Sequence, residues 1–497
     1  VEVFAGLAQG FSVILTAENL HYVFLGSLIG TLIGVLPGIG PLAAMSLLLP
    51  ATFALPPVAM IAMLTAMFYG AMYGGTITSV LVNIPGEAAS VITCLDGHAM
   101  ARQGRAGAAL GIAALGSFIA GTLGLVVLSF FAPLIAEYAV RLGPPEYAAL
   151  MALGLACTVL MVQGPPAKGL AMIALGSLLA SVGMDMVTGE ERFTFGTIQM
   201  TAGFELVAVI IGLFGIAEIL SNVEERARAM PVVGRLSQLW PSREDWRAAA
   251  APILRGSGLG FVIGLLPGGG PVTASFVSYV AEQRAARDKR GFGQGRIEGV
   301  AGPESANNAA VASGMIPLLS LGLPGNAVTA LLLGALVIAG VQPGPLMITQ
   351  HADVFWGVIA SMYVGNVMLL ILNLPLVGLW VQLLRVPYAV LFPAIVLLAI
   401  IGTWSANRNL FDLWVMLGFG VLGWLLRKLG YELAPFVLAF VLAPLLEQAV
   451  RQSLLMSPDG AMIFVERPVS AVLLGACALL CLFIAARRRP LVPGGTT

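Results

Sequence analysis

Apolar stretches long enough to cross roughly 30 Å of hydrocarbon as helices recur along almost the whole chain, separated by short polar connections. That pattern predicts an all-α polytopic membrane protein with roughly 12 or more membrane segments. The stretches at 41–55 and 271–282 are short and leave room for re-entrant hairpins, and 304–345 is long enough to fold back on itself. No stretch reads as a sizeable soluble domain. Composition agrees: 58% of residues are hydrophobic and 10% charged, with mean hydropathy +0.94, whereas a soluble domain carries about 25% charge.

The pattern also repeats. GSLIGTLIGVLPGIGP at 26–41 returns 230 residues later as GSGLGFVIGLLPGGGP at 256–271. Each copy is a helix interrupted by two prolines with glycines between them. Proline removes a backbone donor and glycine costs about 1 kcal/mol in a helix interior, so the backbone unwinds there. At membrane depth such unwinding is tolerated only where protein or a water-filled cavity satisfies the freed amides and carbonyls. Two related halves with matched interrupted helices are the organisation of secondary transporters. Gly38, Gly40, Gly268 and Gly270 in these loops are candidate carbonyl ligands for sodium. Upstream, Gly26, Gly30 and Gly34, and likewise Gly256, Gly260 and Gly264, recur every fourth residue, which lets two helix backbones approach closely in lipid.

A second matched pair spans 74–90 and 313–329. Both contain Pro-Gly, then an acid or amide, then a hydroxyl three residues later: Pro85, Gly86, Glu87 and Ser90 in one copy, Pro324, Gly325, Asn326 and Thr329 in the other. With Asn83, these groups form a candidate carboxylate site beside an open helix N-terminus, and Glu87 is a candidate sodium ligand. Helix capping is the competing role for the same side chains. Ser305, Asn307 and Asn308 enter an apolar segment, where polar groups are costly and usually face a cavity; N-capping is their alternative. Asp96, Lys168, Asp185, Glu205 and Glu218 fall near segment ends and read as reaching the interface. The three histidines and four cysteines lack the spacing of a metal or redox site, and no nucleophile and base pair marks an enzyme.

Net charge is zero, yet 20 of the 25 Lys and Arg fall on one face if segments alternate from an outside N-terminus. The first copy of the repeat then starts outside and the second inside, so the halves are expected to be inverted. They read as 1–221 and 252–486, joined by a basic cytoplasmic linker at 222–251 and followed by a cytoplasmic tail at 487–497. The N-terminus lacks a basic n-region, so the first segment is expected to stay.

The duplicated LPGxGP-type motif, YGGTITSVLVNIPGEAAS at 73–90, DGHAMARQGRAGAALG at 96–111 and GPESANNAAVASGMIPLLSLGLPG at 302–325 closely resemble the large membrane subunit (TctA-type) of the tripartite tricarboxylate transporters. The similarity runs over nearly the whole chain. The resemblance implies a bacterial inner-membrane system with a small membrane subunit (TctB-type) and a periplasmic solute-binding protein (TctC-type), importing di- or tricarboxylates by sodium symport. Cofactors other than the coupling ion, and nucleic acid, are not expected. The segments around the proline breaks and the Pro-Gly motifs, 26–41, 74–90, 256–271 and 302–329, carry no Lys or Arg, so a multivalent anion entering them needs a counter-cation, which independently favours sodium coupling. An elevator-like motion of the broken segments past the continuous helices is the favoured reading over rocking. A channel and a stand-alone carboxylate carrier are the rival functions.

Overall fold

The computed structural model describes residues 2–36, 40–162, 164–185, 187–224, 239–286, 288–383 and 388–486. The breaks fall where the prolines demand. Helix α1 (Glu2–Ile14) bends by 86° into α2 (Ala17–Val35), whose start is capped by Thr16; α3 begins after the first break at Pro41 (Pro41–Leu48). Then come α4 (Pro57–Val82), α5 (Thr93–Arg102), α6 (Ala106–Ala139), α7 (Pro144–Met161) and α8 (Pro166–Ala180). Proline opens α3, α4, α7 and α8, at the first helical position, where its missing N–H has no intrahelical partner to lose. A two-stranded hairpin, Gly183–Met184 against Glu191–Arg192, precedes α9 (Leu206–Ile210), which runs through a π-helical stretch (Ile211–Ile216) into α10 (Ala217–Glu224).

The second set opens with α11 (Arg243–Leu265), capped by Ser242 and Asp245, followed past the second proline break by α12 (Pro271–Ala285), α13 (Glu298–Leu321) and α14 (Ala327–Ile338). After the short α15 (Met347–Gln350) come α16 (Ala352–Asn373), α17 (Val377–Leu383), α18 (Tyr388–Asn407), α19 (Leu410–Lys428) and α20 (Ala434–Met456). The chain ends in α21 (Ile463–Glu466) and α22 (Pro468–Ala486).

Helices α4 and α13 form the centre. The apolar window of α4 is wholly buried, and from Gly299 to Ser320 every residue of α13 is buried. Their closest neighbours, α2 and α11, meet them at backbone distance because of the every-fourth-residue glycines. A Cβ added at Gly26, Gly30 or Gly34 would collide with the backbone at Met63, Met67 or Ala71 of α4. One at Gly256, Gly260 or Gly264 would collide with that at Gly302, Ala306 or Ala310 of α13. The two sets of partners are in the same register, so the sequence repeat is a packing repeat. The remaining long helices cross over: α6, from the first set, packs on α13 and α11, while α16, from the second, packs on α4 and α2.

Among the described residues six helices are long and apolar enough to cross a membrane, and two bent pairs raise this to eight. Six further apolar helices of 10–17 residues, α14 among them, are too short to qualify. The segment count read from the sequence is thus reached only by including these pieces. The reason is the proline breaks, which divide continuous apolar sequence into shorter helices.

Of the ionisable residues read as interfacial, Lys168 donates to the carbonyls of Leu429 and Gly430, Glu218 pairs with Arg427, and Glu205 caps α9 through the Val207 and Ala208 amides. Asp185 accepts from the Val187 and Thr188 amides and pairs with Arg192 and Arg451. The Val187 amide, then the Thr188 amide and Arg192, hold its carboxyl well below the usual carboxylate range. Asp96 departs from expectation: it is fully buried, for a reason given below.

Replacing Gly30 or Gly260 by Ala is expected to cost about 1–3 kcal/mol through overpacking against backbone that cannot yield, read as a lowered melting temperature in detergent. Gly258→Ala, on the open face of α11, where nothing lies within 4 Å, leaves it unchanged. The depressed Asp185 carboxyl stays charged as pH falls through about 4, the ordinary carboxylate value. The hairpin should therefore be as resistant to proteolysis at pH 4 as at pH 7, whereas Asp185→Asn should be cut faster at both.

Candidate functional site

The second matched pair forms two near-identical tips. Helix α4 ends at Val82 with Asn83 in the left-handed conformation (φ 61°), and α13 ends at Leu321 with Gly322 in the same conformation (φ 69°). Asn83 stands where the other copy uses glycine, and asparagine tolerates that region better than most side chains. It is exposed and turns the chain. Gly86 of the following Pro-Gly is wedged against Gly34, Gly75 and Thr78, and no side chain larger than hydrogen would fit. Gly325 lies in the equivalent place, and its carbonyl accepts from the Gly268 amide at 2.7 Å, joining the two breaks of the second set.

The acid or amide and the hydroxyl after each Pro-Gly form reciprocal caps. In the second copy Asn326 Oδ1 accepts from the Val328 and Thr329 amides, both at 3.0 Å, while Thr329 Oγ1 accepts from the Asn326 amide at 2.9 Å. In the first copy Glu87 Oε2 accepts from the Ala89 amide at 2.8 Å and Ser90 Oγ accepts from the Glu87 amide at 3.4 Å. Thr329 lies in the first turn of α14 as expected, but Ser90 ends a single 3-10 turn (Ala88–Ser90) rather than entering a long helix. Capping uses only one side of each group. Glu87 Oε1 and Asn326 Nδ2 are buried without a hydrogen-bond partner. These are the atoms available to a ligand.

Of the candidate sodium ligands, Gly38 lies outside the described residues. The carbonyls of Gly40 and Gly270 accept from the Ala44 and Ala274 amides as first acceptors of α3 and α12, and each retains a second lone pair. Gly268 takes a positive φ of 81° and packs on Thr158 of α7.

Ser305, Asn307 and Asn308 are not N-caps, because α13 begins at Glu298 and runs through Pro303. They sit in its interior, fully buried. Asn308 Nδ2 donates to Asn307 Oδ1 at 2.6 Å and to the Glu304 carbonyl at 3.1 Å, while Ser305 Oγ and Asn308 Oδ1 have no partner.

Two acids that sequence reasoning passed over or misplaced join the two sets of helices. Glu304 of α13 accepts from Thr76 of α4 at 2.7 Å, from Thr93 of α5, and from Asn307 Nδ2 at 3.2 Å. The signal was available: an acid inside an apolar segment is itself costly. Asp96 of α5 accepts at Oδ1 from the amides of Gly293, Gly295 and Arg296, at 2.8–2.9 Å, and at Oδ2 from the Tyr279 hydroxyl at 2.9 Å. The loop before α13 wraps this carboxylate and replaces the water expected around it, which is why Asp96 is buried. Its signal is non-local and could not be read from spacing.

Comparison with known proteins follows this geometry. Residues 20–438 match the family described as the tripartite tricarboxylate transporter TctA family. An uncharacterised 52.8 kDa protein from the TAR-I ttuC′ 3′ region of Agrobacterium vitis is 49% identical over 485 residues, 98% of this chain and 96% of that one. A second uncharacterised protein, from the TAR-II ttuC′ 3′ region of the same organism, is 51% identical over 226 residues, 46% of this chain and 93% of its own length. No solved structure matches the chain.

The left-handed backbone at residue 83 makes a stability prediction. Asn83→Gly should keep the melting temperature of the protein, whereas Asn83→Val should lower it by the equivalent of roughly 1–2 kcal/mol, the cost of a Cβ clash in that conformation.

Proposed function

The chain belongs to the tripartite tricarboxylate transporter TctA family, and from that premise we propose that it imports di- or tricarboxylates across a bacterial inner membrane as the large subunit of a three-component secondary transporter. A small membrane subunit (TctB-type) and a periplasmic solute-binding protein (TctC-type) complete the system, and sodium is the coupling ion. The observation that carries this reading is the pair of capped Pro-Gly tips, each with a buried polar atom left over: Asn326 Nδ2, a donor suited to a carboxylate, and Glu87 Oε1, a hard oxygen suited to sodium.

The substrate is held by Asn326 and Thr329, by the amides around Pro324 and Gly325, and by their counterparts Pro85, Gly86 and Ser90. Ser305, Asn307 and Asn308 contribute from α13, with Ser305 Oγ and Asn308 Oδ1 as the groups still unpaired. Sodium is held by Glu87 and the second lone pairs of the break carbonyls at Gly40, Gly268 and Gly270, with Gly38 completing the loop. Its charge offsets that of the anion in a segment without Lys or Arg.

The two halves, 1–221 and 252–486, are inverted relative to each other, with the N-terminus periplasmic and the linker and tail cytoplasmic. Matched glycine contacts in α2–α4 and α11–α13 support equal internal construction of the halves. Inverted, equal halves give two states of similar energy, one open to each side. The broken segments move past the continuous helices in an elevator-like cycle.

Proteoliposomes holding both membrane subunits should accumulate labelled carboxylate only with an inward sodium gradient and the binding protein. Accumulation without the binding protein would mark a stand-alone carrier, and gradient-independent equilibration a channel. Asn326→Ser keeps an oxygen for the cap and loses the amide donor. It should retain the melting temperature while uptake falls about tenfold, the value of one net hydrogen bond; wild-type kinetics in this variant would remove Asn326 from the site.

A further inference from the structure

Glu304 is a carboxylic acid at the centre of the molecule for which the transport reading has no use. It is fully buried, on a helix buried along nearly its whole length. The three hydrogen-bond partners of its carboxyl, Thr76, Thr93 and Asn307, are all neutral. Among the described residues, the groups presented toward this part of α13 supply no counter-charge. Helix α4 brings Tyr69 and Tyr73, the turn before α5 brings Glu87, α5 brings Cys94 and Asp96, and α12 brings Tyr279 and Glu282. Arg255 of α11 is held by Glu282, Arg105 before α6 by Asp245 and Arg296 before α13 by Glu298, His98 of α5 lies 3.0 Å from the Val80 carbonyl, and α14 carries no ionisable residue. An ionised carboxylate there, facing further acids and no cation free to pair with it, would be a buried charge without compensation.

A metal ion is not the remedy in this conformation. The hydroxyls of Thr76 and Thr93 touch the carboxyl oxygens directly, and a sodium ion needs those oxygens spread around it. A proton needs no such room. Thr76 Oγ1 lies 3.3 Å from the Met72 carbonyl, so its own hydrogen can turn there while its lone pair accepts one from the acid. Beside Thr76 lies a cavity of about 10 Å³ lined by Tyr73, Ser117 and Asn373 among others, the room of a single water, and Asn373 Oδ1 is buried without a partner.

We infer that Glu304 is a proton-binding site that holds a proton in this conformation and exchanges it with water during the transport cycle. The inference rests on the transport reading for its role in the cycle, and on the geometry alone for the proton. A proton from water bonds to a Glu304 oxygen on one side of the membrane, and the same bond breaks to water on the other side. No other bond is made or lost. Because Thr93 opens α5 directly after the first tip, the protonated acid also ties that tip to α13. Loss of the proton leaves an unpaired charge that is relieved only when water reaches it, so deprotonation favours opening.

Infrared difference spectroscopy of the full-length protein in lipid tests this directly. At neutral pH the wild type should show a carboxylic-acid C=O band that shifts in heavy water, and Glu304→Gln should lack it. Thr93→Val, which keeps the acid but removes one partner, should move the band. A wild-type spectrum without a band that Glu304→Gln removes would overturn the inference, as would a band unmoved in Thr93→Val. In proteoliposomes under a fixed inward sodium gradient, an added inward proton gradient should raise accumulation by the wild type, and Glu304→Gln should keep substrate counterflow but lose at least tenfold of that added accumulation; an undiminished response to the proton gradient would overturn the coupling role. If the wild type moves no carboxylate under any gradient, the transport reading fails, while the infrared band still decides the proton site.

Discussion

Everything in this protein hangs on two helix pairs brought to backbone contact. The glycines of α2 lie on the backbone of α4 at Met63, Met67 and Ala71, and those of α11 lie on that of α13 at Gly302, Ala306 and Ala310. In lipid the hydrophobic effect does not drive helices together, so close van der Waals packing and the hydrogen bonds it permits must do so. The close approach has a second consequence. It carries the ends of α2 and α11 to the Pro-Gly tips that follow α4 and α13, where Gly86 wedges against Gly34 and Gly325 accepts from the Gly268 amide. In the second set the two breaks thus satisfy one another, as unwound backbone away from water requires.

Around this frame the two sets of helices exchange partners. Helix α6 leaves the first set to cover α13 and α11, and α16 leaves the second to cover α4 and α2. Neither half can then shift without disturbing the other's covering helix. Among the polar links between the sets, those at the centre include Glu304 to Thr76 and Thr93, Asp96 to the loop before α13, and Tyr73 to Asn366 at 2.8 Å. Each joins a residue of one set to a residue of the other. They lie along α4, α5 and α13, where any relative movement of the sets must break them.

The tips show how one local device can serve two ends. A reciprocal cap satisfies the amides that a helix start would otherwise leave bare in an apolar interior. It does so with one oxygen of Glu87 and the oxygen of Asn326, so the second carboxylate oxygen of the first and the amide nitrogen of the second stay unpaired. Capping therefore does not exclude a ligand role for these side chains, since each cap uses one atom and leaves another without a partner.

Membrane character, the positions of both kinds of break and the glycine stripes were legible in the sequence, because they follow from hydropathy, from proline's missing donor and from glycine's missing Cβ. The register of the caps was legible too, since Pro85 to Ser90 and Pro324 to Thr329 repeat the same spacing. The start of α13 was not, because Pro303 and the polar residues after it look like a helix entrance, whereas the helix has already run from Glu298. Nor were the roles of Asp96 and Glu304. A carboxylate near a segment end reads as solvated, and only the folded chain brings the amides of Gly293, Gly295 and Arg296, or the hydroxyls of Thr76 and Thr93, to take the place of water. Local backbone chemistry is written residue by residue, but the partner of a buried acid lies some 200 positions away and exists only once the helices have packed.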